Sequence, residues 1–300
     1  MDRKKIVVIG SSNTDMVVKS DRLPAPGETV LGGRFIMNPG GKGANQAVAA
    51  ARLNGDVTFI AKVGNDVFGQ EAISGFKSHG IQTDFVISDP DNPSGVALIM
   101  VDSNGENCIS VALGANAALQ KSDIDAAKKA IVQADLVLIQ LEIPMPVVEY
   151  AVQLAVNAGA EVVLNPAPAQ PLTDQLLANL SIISPNETEA ELLTGIQVED
   201  LASIKKAAKA LRDKGVETVI ITLGSKGAYI QSKDLDELVP SPKVQAVDTT
   251  AAGDTFNGAL VVGLSEGMSL LDAVAFANQA AAFSVTKLGA QASVPTRSEL

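Results

Sequence analysis

Residues 136–165 read LVLIQLEIPMPVVEYAVQLAVNAGAEVVLN, and this stretch decides the fold class. Its opening, 136–140, is almost continuously apolar, the pattern of a short strand buried on both faces. Residues 146–157 have helical length, and Gly159 stands just past them as a stop. Residues 161–165 then repeat the short apolar run. Strand, helix and strand in close succession predict parallel strands covered by a helix.

The alternation extends in both directions. Residues 5–9, 57–63, 182–184 and 218–223 are further strand candidates. Helix candidates occupy 43–53, 68–78, 123–133, 187–193 and 201–214, with Gly195 and Gly215 closing two of them. The expected fold is α/β, with a mostly parallel central sheet flanked by helices on both faces. Two regions break the pattern. Residues 16–20, 29–31 and 34–38 read as short strands punctuated by Pro24, Pro26, Gly27, Gly32 and Gly33. Residues 94–101 and 108–112 read as a hairpin around Asp102-Ser103-Asn104-Gly105. Strands without helices between them predict a small antiparallel sheet outside the main layer, or edge hairpins of that layer. No linker or internal repeat is visible, so residues 1–300 are expected to be a single domain.

Composition narrows the function. With 300 residues, 46% of them hydrophobic, the chain can bury a large core. A formal net charge of −11 argues against nucleic acid, which is bound through Lys and Arg on phosphates. Cys108 and His79 are the only residues of their types. An intrachain disulfide is therefore impossible, which fits a reducing cytosol, and no multi-Cys/His zinc site can form. Cys108, in an apolar run, is expected to be buried; His79 is expected at the surface near a helix C-terminus. No signal peptide and no apolar run of membrane-spanning length is present.

Two glycine-containing runs carry the chemistry. Asp248-Thr249-Thr250-Ala251-Ala252-Gly253-Asp254 leads into an apolar helix expected at 255–264. Small residues let backbone N–H groups approach an anion, and the helix N-terminus adds a favourable field. Asp254 would lie in the first turn, beside that anion, as phosphoryl transfer to a hydroxyl requires. A helix N-terminus capped by an acidic residue would look the same. The other run is Gly40-Gly41-Lys42-Gly43-Ala44-Asn45-Gln46-Ala47, a glycine-rich entry to a helix with Lys42 and Asn45 on its first turn. It is not a Walker A loop, and no dinucleotide fingerprint opens the chain.

Together these runs resemble the two signatures of the ribokinase (PfkB) family of carbohydrate kinases. The resemblance spans nearly the whole chain. It includes Gly10-Ser11-Ser12-Asn13-Thr14-Asp15, Pro26-Gly27-Glu28-Thr29 and Gln140-Leu141-Glu142. It continues through Asn165-Pro166-Ala167-Pro168-Ala169, Pro185-Asn186-Glu187-Thr188-Glu189 and Thr222-Leu223-Gly224-Ser225-Lys226-Gly227. Within the family, the pattern is most similar to members acting on ribose. The implied reaction is transfer of the γ-phosphoryl group of Mg-ATP to the primary hydroxyl of D-ribose. The broken-pattern strands, within 14–38 and 94–112, would form a lid over the sugar.

The resemblance also implies roles. Asp254 would be the base, with the amides of Ala252 and Gly253 stabilising the transferred group. Asn13, Asp15, Gly41, Lys42, Asn45 and Glu142 would contact ribose, although Asn13 and Asp15 read by themselves as an Asx turn. Asn186, Thr222, Gly224, Ser225, Gly227, Gly253 and Asn278 would line the ATP site. Asn186 and Glu189 would approach Mg²⁺ through water; their spacing equally describes a helix-capping box. Asp248, Thr250, Ser284, Lys287, Gly289 and Ser293 would hold K⁺, several through carbonyl oxygens. Ala251 stands where many relatives have Gly, which restricts φ in that turn. Alternatives are another sugar or nucleoside kinase, such as a fructokinase, and a catalytically silent sugar-binding protein. Few aromatics near the lid disfavour a purine nucleoside; retention of Asp254 with both signatures disfavours a silent protein. Apolar alternation at Val30/Leu31, Phe35/Ile36/Met37 and Val96/Leu98/Met100 predicts a homodimer through the lid.

Overall fold

The computed structural model describes residues 4–300. The chain opens with strands β1 (Lys5–Ile9), β2 (Asn13–Lys19) and β3 (Arg34–Gly40), then helix α1 (Lys42–Arg52). Next come β4 (Asp56–Gly64), α2 (Val67–Ser78), β5 (Gln82–Asp89), β6 (Gly95–Val101) and β7 (Asn107–Ala112). Helices α3 (Lys121–Ala126) and α4 (Lys128–Val132) lead to β8 (Leu136–Ile139), α5 (Met145–Ala158), β9 (Glu161–Leu164) and α6 (Asp174–Leu177). Then follow β10 (Ile182–Ile183), α7 (Glu187–Thr194), α8 (Leu201–Asp213), β11 (Thr218–Thr222), β12 (Ala228–Gln231) and β13 (Asp236–Val239). Helices α9 (Ala252–Ser265) and α10 (Leu270–Ser284) complete the main elements.

Nine strands form the central sheet in the order β13-β12-β11-β10-β9-β8-β1-β4-β5. All its pairs are parallel except β11–β12 and β12–β13. Alternate side chains feed two cores, because strand side chains point to opposite faces. Val7, Ile9, Val137 and Ile139 pack with α5 and α8 on one face. Ile6, Val8, Leu136 and Leu138 pack with α1, α9 and α10 on the other. Each fully buried aliphatic side chain is worth roughly 1.5–3 kcal/mol, so this double burial is what holds the layers together.

A second sheet has the order β3-β2-β6-β7. Its hairpin pairs β2–β3 and β6–β7 are antiparallel, as the sequence implies, but the central pair β2–β6 is parallel. The lid is thus mixed. The reason is topological: β2 leaves the main sheet directly after β1, and β6 leaves it after β5, at the same end.

Other expectations shift locally. Residues 29–31 form no strand; that segment is irregular. The helix expected at 123–133 breaks at Ala127 into α3 and α4. Cys108 is exposed rather than buried, because every β7 side chain lies on the lid's outlying strand. His79 caps the C-terminus of α2 and is partly buried. Helix α9 starts at Ala252, a turn earlier than expected at its N-terminal end, which places Ala251 at the cap with φ 59° and ψ 17°.

Candidate active site

From β1 the chain winds to β4 and β5 on one side, then crosses to β8 on the other. Ligands bind at such reversals, beyond the carboxyl ends of the strands. Ser11 and Asn13 follow β1 there, and Glu142 follows β8. Missing side chains allow the crowding. A Cβ on Gly43 would lie 2.5 Å from the Ser11 amide nitrogen, and one on Gly40 would lie 2.3 Å from Asp15 Oδ2. Gly41 adopts φ 88°, a left-handed conformation that only glycine takes without strain.

The loops are tied by hydrogen bonds. Ser11 Oγ donates to Glu142 Oε2 at 2.5 Å, and the Lys42 amide donates to the same oxygen at 3.0 Å. Asn116, fully buried, donates to Asn13 Oδ1 at 2.8 Å and accepts from the Ser12 amide at 2.9 Å. The Asn13 amide is thereby oriented through its oxygen.

Asp254 sits in the first turn of α9 and is 7% exposed. Asn45 Nδ2 donates to its Oδ2, and Gln46 Nε2 to its Oδ1, both at 2.9 Å. Burial raises its pKa above the ordinary value, against the pull of Lys42 and the two amides. The helix N-terminus favours the ionised form; desolvation acts the other way. Asp15 is pushed up to about 6 by burial and by Glu142 and Asp254. Glu189 is also raised, chiefly by burial. Lys42 is the cation among them. Burial opposes its charge, but Asp254, Glu142, Glu189 and Asp15 outweigh that and raise its pKa.

On the other side of the α9 turn lies a cleft of about 550 Å³. Thr222, Gly224, Ser225, Gly227, Ala252, Gly253 and Asn278 line it, with apolar Val244, Phe256 and Val285. Asn278 is held there by donation to the Val239 carbonyl at 3.0 Å. Asn186 is not part of that lining; it bridges to Thr222 beside it. Asn186 and Glu189 form the reciprocal capping box of α7, at 2.8 and 2.9 Å. In the first turn of α9, the Ala252 amide donates to the Thr249 carbonyl at 3.2 Å, while the Gly253 amide has no acceptor within the helix; both residues line the cleft.

The residues considered for cations divide. Asp248 accepts from the Thr250 hydroxyl and amide at 2.6 and 2.9 Å and from the Gly289 amide at 2.9 Å. Burial opposes its charge, yet these donors keep its pKa below the ordinary value. Ser284, Ser293 and Lys287 turn their side chains to Ala281, Ala290 and Glu299. Lys287 could offer a cation at Asp248 only its carbonyl oxygen, since its side chain is itself a cation paired with Glu299. The donor set is hard oxygen and suits a monovalent ion. Among the described residues, no cluster of three or more His, Cys, Asp or Glu could hold a metal.

Sequence reasoning passed over a set of buried amides: Gln46, Asn116, Gln140, Asn165 and Asn257. The available signal was polar residues inside or at the ends of apolar runs.

Comparison with known proteins gives the same picture. The family model described as pfkB family carbohydrate kinase matches residues 3–297. A ribokinase of Haemophilus influenzae is 48% identical over 297 residues, covering 99% of this chain and 97% of that protein. A deoxyribokinase of Salmonella typhi is 41% identical, covering 97% and 95%. The solved ribokinase of Arabidopsis thaliana complexed with ribose and ATP superposes with TM-score 0.92 at 35% identity, covering 99% and 97%. Fold, site and these likenesses converge: the chain belongs to the pfkB family of carbohydrate kinases.

Proposed function

We propose that this kinase transfers the γ-phosphoryl group of ATP to the primary hydroxyl of D-ribose, giving ribose 5-phosphate. The observation that carries the proposal is the placement of Asp254. It follows directly on Ala252 and Gly253, which line the 550 Å³ cleft, in the first turn of α9, with both oxygens held by amides and with Lys42 and Glu142 close enough to act on its charge. Ribose is a set of hydroxyls, and Asn13, Asp15, Lys42, Asn45 and Glu142 offer donors and acceptors for them. Gly41 lets the backbone approach. Asp254 accepts the hydroxyl proton as the bond to phosphorus forms. Amides of Ala252 and Gly253 meet charge on the transferred group, preorganised by the turn. Thr222, Gly224, Ser225, Gly227 and Asn278 bind the nucleotide in the cleft, with Asn186 beside it.

Asn186 and Glu189 would reach the hydration shell of the Mg²⁺ carried by the nucleotide, which would neutralise phosphate charge; that role is compatible with their capping box. K⁺ would be held by Asp248 and Thr250 with the carbonyl oxygens of Ser284, Lys287, Gly289 and Ser293, and would order the 249–253 turn. Residues 4–300 form one kinase domain, with its lid within 14–38 and 94–112. No helix among the described residues is long and apolar enough to cross a membrane, and the lone cysteine fits a cytosolic enzyme. The lid would join two copies. Strand register puts Val18, Phe35, Met37, Leu98 and Met100 on the face opposite Asp15, and all five are exposed. A two-fold pair would cover them. Light scattering at micromolar concentration tests this; a monomer with and without ribose refutes it.

ADP release across ribose, 2-deoxyribose, fructose, tagatose 6-phosphate and adenosine tests the substrate. Ribose should show the highest kcat/KM. Another winner leaves the family standing and removes ribose.

A further inference from the structure

The structure assigns to Gln46 a positioning role: as the fixed donor in a ring of buried amides, it holds the Asp254 carboxylate against the turn that opens α9. This inference rests on Asp254 being the base. Gln46 is 0% exposed, so it touches neither sugar nor nucleotide. Its NH₂ donates to Asp254 Oδ1 at 2.9 Å and to Asn165 Oδ1 at 3.0 Å, and its Oε1 accepts from Gln140 Nε2. Every polar atom of the amide is engaged. Flipping it would set its oxygen against two acceptors, so the NH₂ is directed at Asp254.

The hydrogen bonds close on themselves. Asn165 Nδ2 donates to the Ser184 carbonyl at 3.0 Å, Ser184 Oγ donates to Asn257 Oδ1, and Asn257 Nδ2 donates to the Gly253 carbonyl at 2.8 Å. A path that leaves the Asp254 carboxylate returns to the residue just before it. The base and the anion-binding turn are thus held as one body.

Two further observations separate this ring from ordinary packing. Gln140 Oε1 is buried without a partner, and a Cβ on Gly10 would lie 2.1 Å from it. Apolar residues of similar volume would fill this space without leaving an oxygen unmet, so the fold alone does not require the amides. The helices also approach unusually closely. A Cβ on Gly258 of α9 would lie 2.5 Å from Ala49 Cβ and 2.8 Å from the Gln46 carbonyl of α1. That contact is what brings Gln46 within reach of Asp254.

An amide donor favours the ionised, proton-accepting form of Asp254 over the acid. The charged groups facing Asp254 are Lys42 on α1, Asp15 on β2, Glu142 after β8 and Glu189 on α7. Lys42 favours ionisation and the three carboxylates oppose it. Gln46 therefore adds its support where like charge is concentrated.

The test uses Gln46→Glu, which keeps the shape, and Gln46→Met, which keeps the volume without a donor. Single-turnover phosphoryl transfer to ribose is followed against pH, with ribose affinity by calorimetry and Asp254→Asn in parallel. In Gln46→Met, losing one hydrogen bond to a carboxylate should move the acid limb of the rate profile up by roughly one pH unit, so that the rate at a fixed pH on that limb falls roughly tenfold while the plateau changes little; Gln46→Glu, which also sets a second carboxyl against Asp254, should move the limb further. Ribose affinity should be unchanged. A lowered rate with the acid limb in place means a merely structural role and overturns the assignment, as does an unchanged rate. If neither substitution at position 46 folds, Gln140→Met decides: a smaller upward shift is expected, and an unmoved limb overturns the assignment. Asp254→Asn at the wild-type rate would instead refute the base itself. An inactive Asp254→Asn beside unmoved Gln46 variants refutes only Gln46.

Discussion

Asp254→Asn separates catalysis from folding at this site. Asn keeps the shape of Asp and removes its capacity to take a proton. Its NH₂ must point at one of two donors, Asn45 Nδ2 or Gln46 Nε2. Gln46 cannot turn, because Asn165 and Gln140 fix it. Asn45 can, at the expense of the bond it accepts from Gln291 at 3.2 Å. The variant thus loses about one hydrogen bond, worth roughly 1 kcal/mol. It also no longer buries a charge, which offsets part of that loss. Tm should move by no more than about 2–4 °C, the shift for roughly 1 kcal/mol in a large domain. Turnover should fall by ~10²–10⁴, the usual contribution of a positioned base. That fall corresponds to about 2.7–5.5 kcal/mol of lost transition-state stabilisation. Single-turnover kinetics with calorimetric ribose binding reads both quantities. Near wild-type turnover with ribose and ATP bound would refute the role of the carboxylate.

Four further outcomes follow from the same geometry. Asp15, with its pKa near 6, should lose its acceptor role as pH falls through that value, so the ribose KM should rise there. Because that value lies above the ordinary 3.8, burying the charge opposes folding above about pH 6, and the penalty disappears below 3.8. Asp15→Asn should accordingly be more stable than wild type at neutral pH, with the gain shrinking in acid; a gain that grows in acid contradicts this. Gly40→Ala would set a methyl group 2.3 Å from Asp15 Oδ2, so ribose KM should rise on the order of tenfold or more while ATP KM stays put; an unchanged ribose KM contradicts the proposed contact. Potassium should activate more than sodium, and Asp248→Ala should abolish the difference; equal rates in potassium and tetramethylammonium buffers remove the cation site.

The fold was legible where apolar period and length agree, as in β1, β8, β9 and α5. Buried strands must be apolar on both faces, and helices between them must stop at residues such as Gly159 and Gly195. Other features depend on distant contacts. The parallel β2–β6 pair joins residues 13–19 to 95–101, and no local pattern specifies that pairing. Cys108 looked buried because its neighbours are apolar, yet β7 is an outlying strand whose six residues are all exposed. In the site, glycines and acidic residues were readable because few residue types suit their geometry. The amide ring was not. Gln46, Asn165 and Asn257 lie far apart in sequence, and their meaning appears only where α1 and α9 pack against each other. Likewise, the raised pKa of Asp254 comes from burial, a property of the assembled site.

The most direct measurement is phosphorus NMR of the product formed from ribose and Mg-ATP. Transfer to the primary hydroxyl predicts phosphomonoester signal, from both furanose anomers, split into triplets by the two protons on C5. A doublet, which marks phosphate on a carbon bearing one proton (C1, C2 or C3), would contradict the account, as would ADP appearing with inorganic phosphate alone.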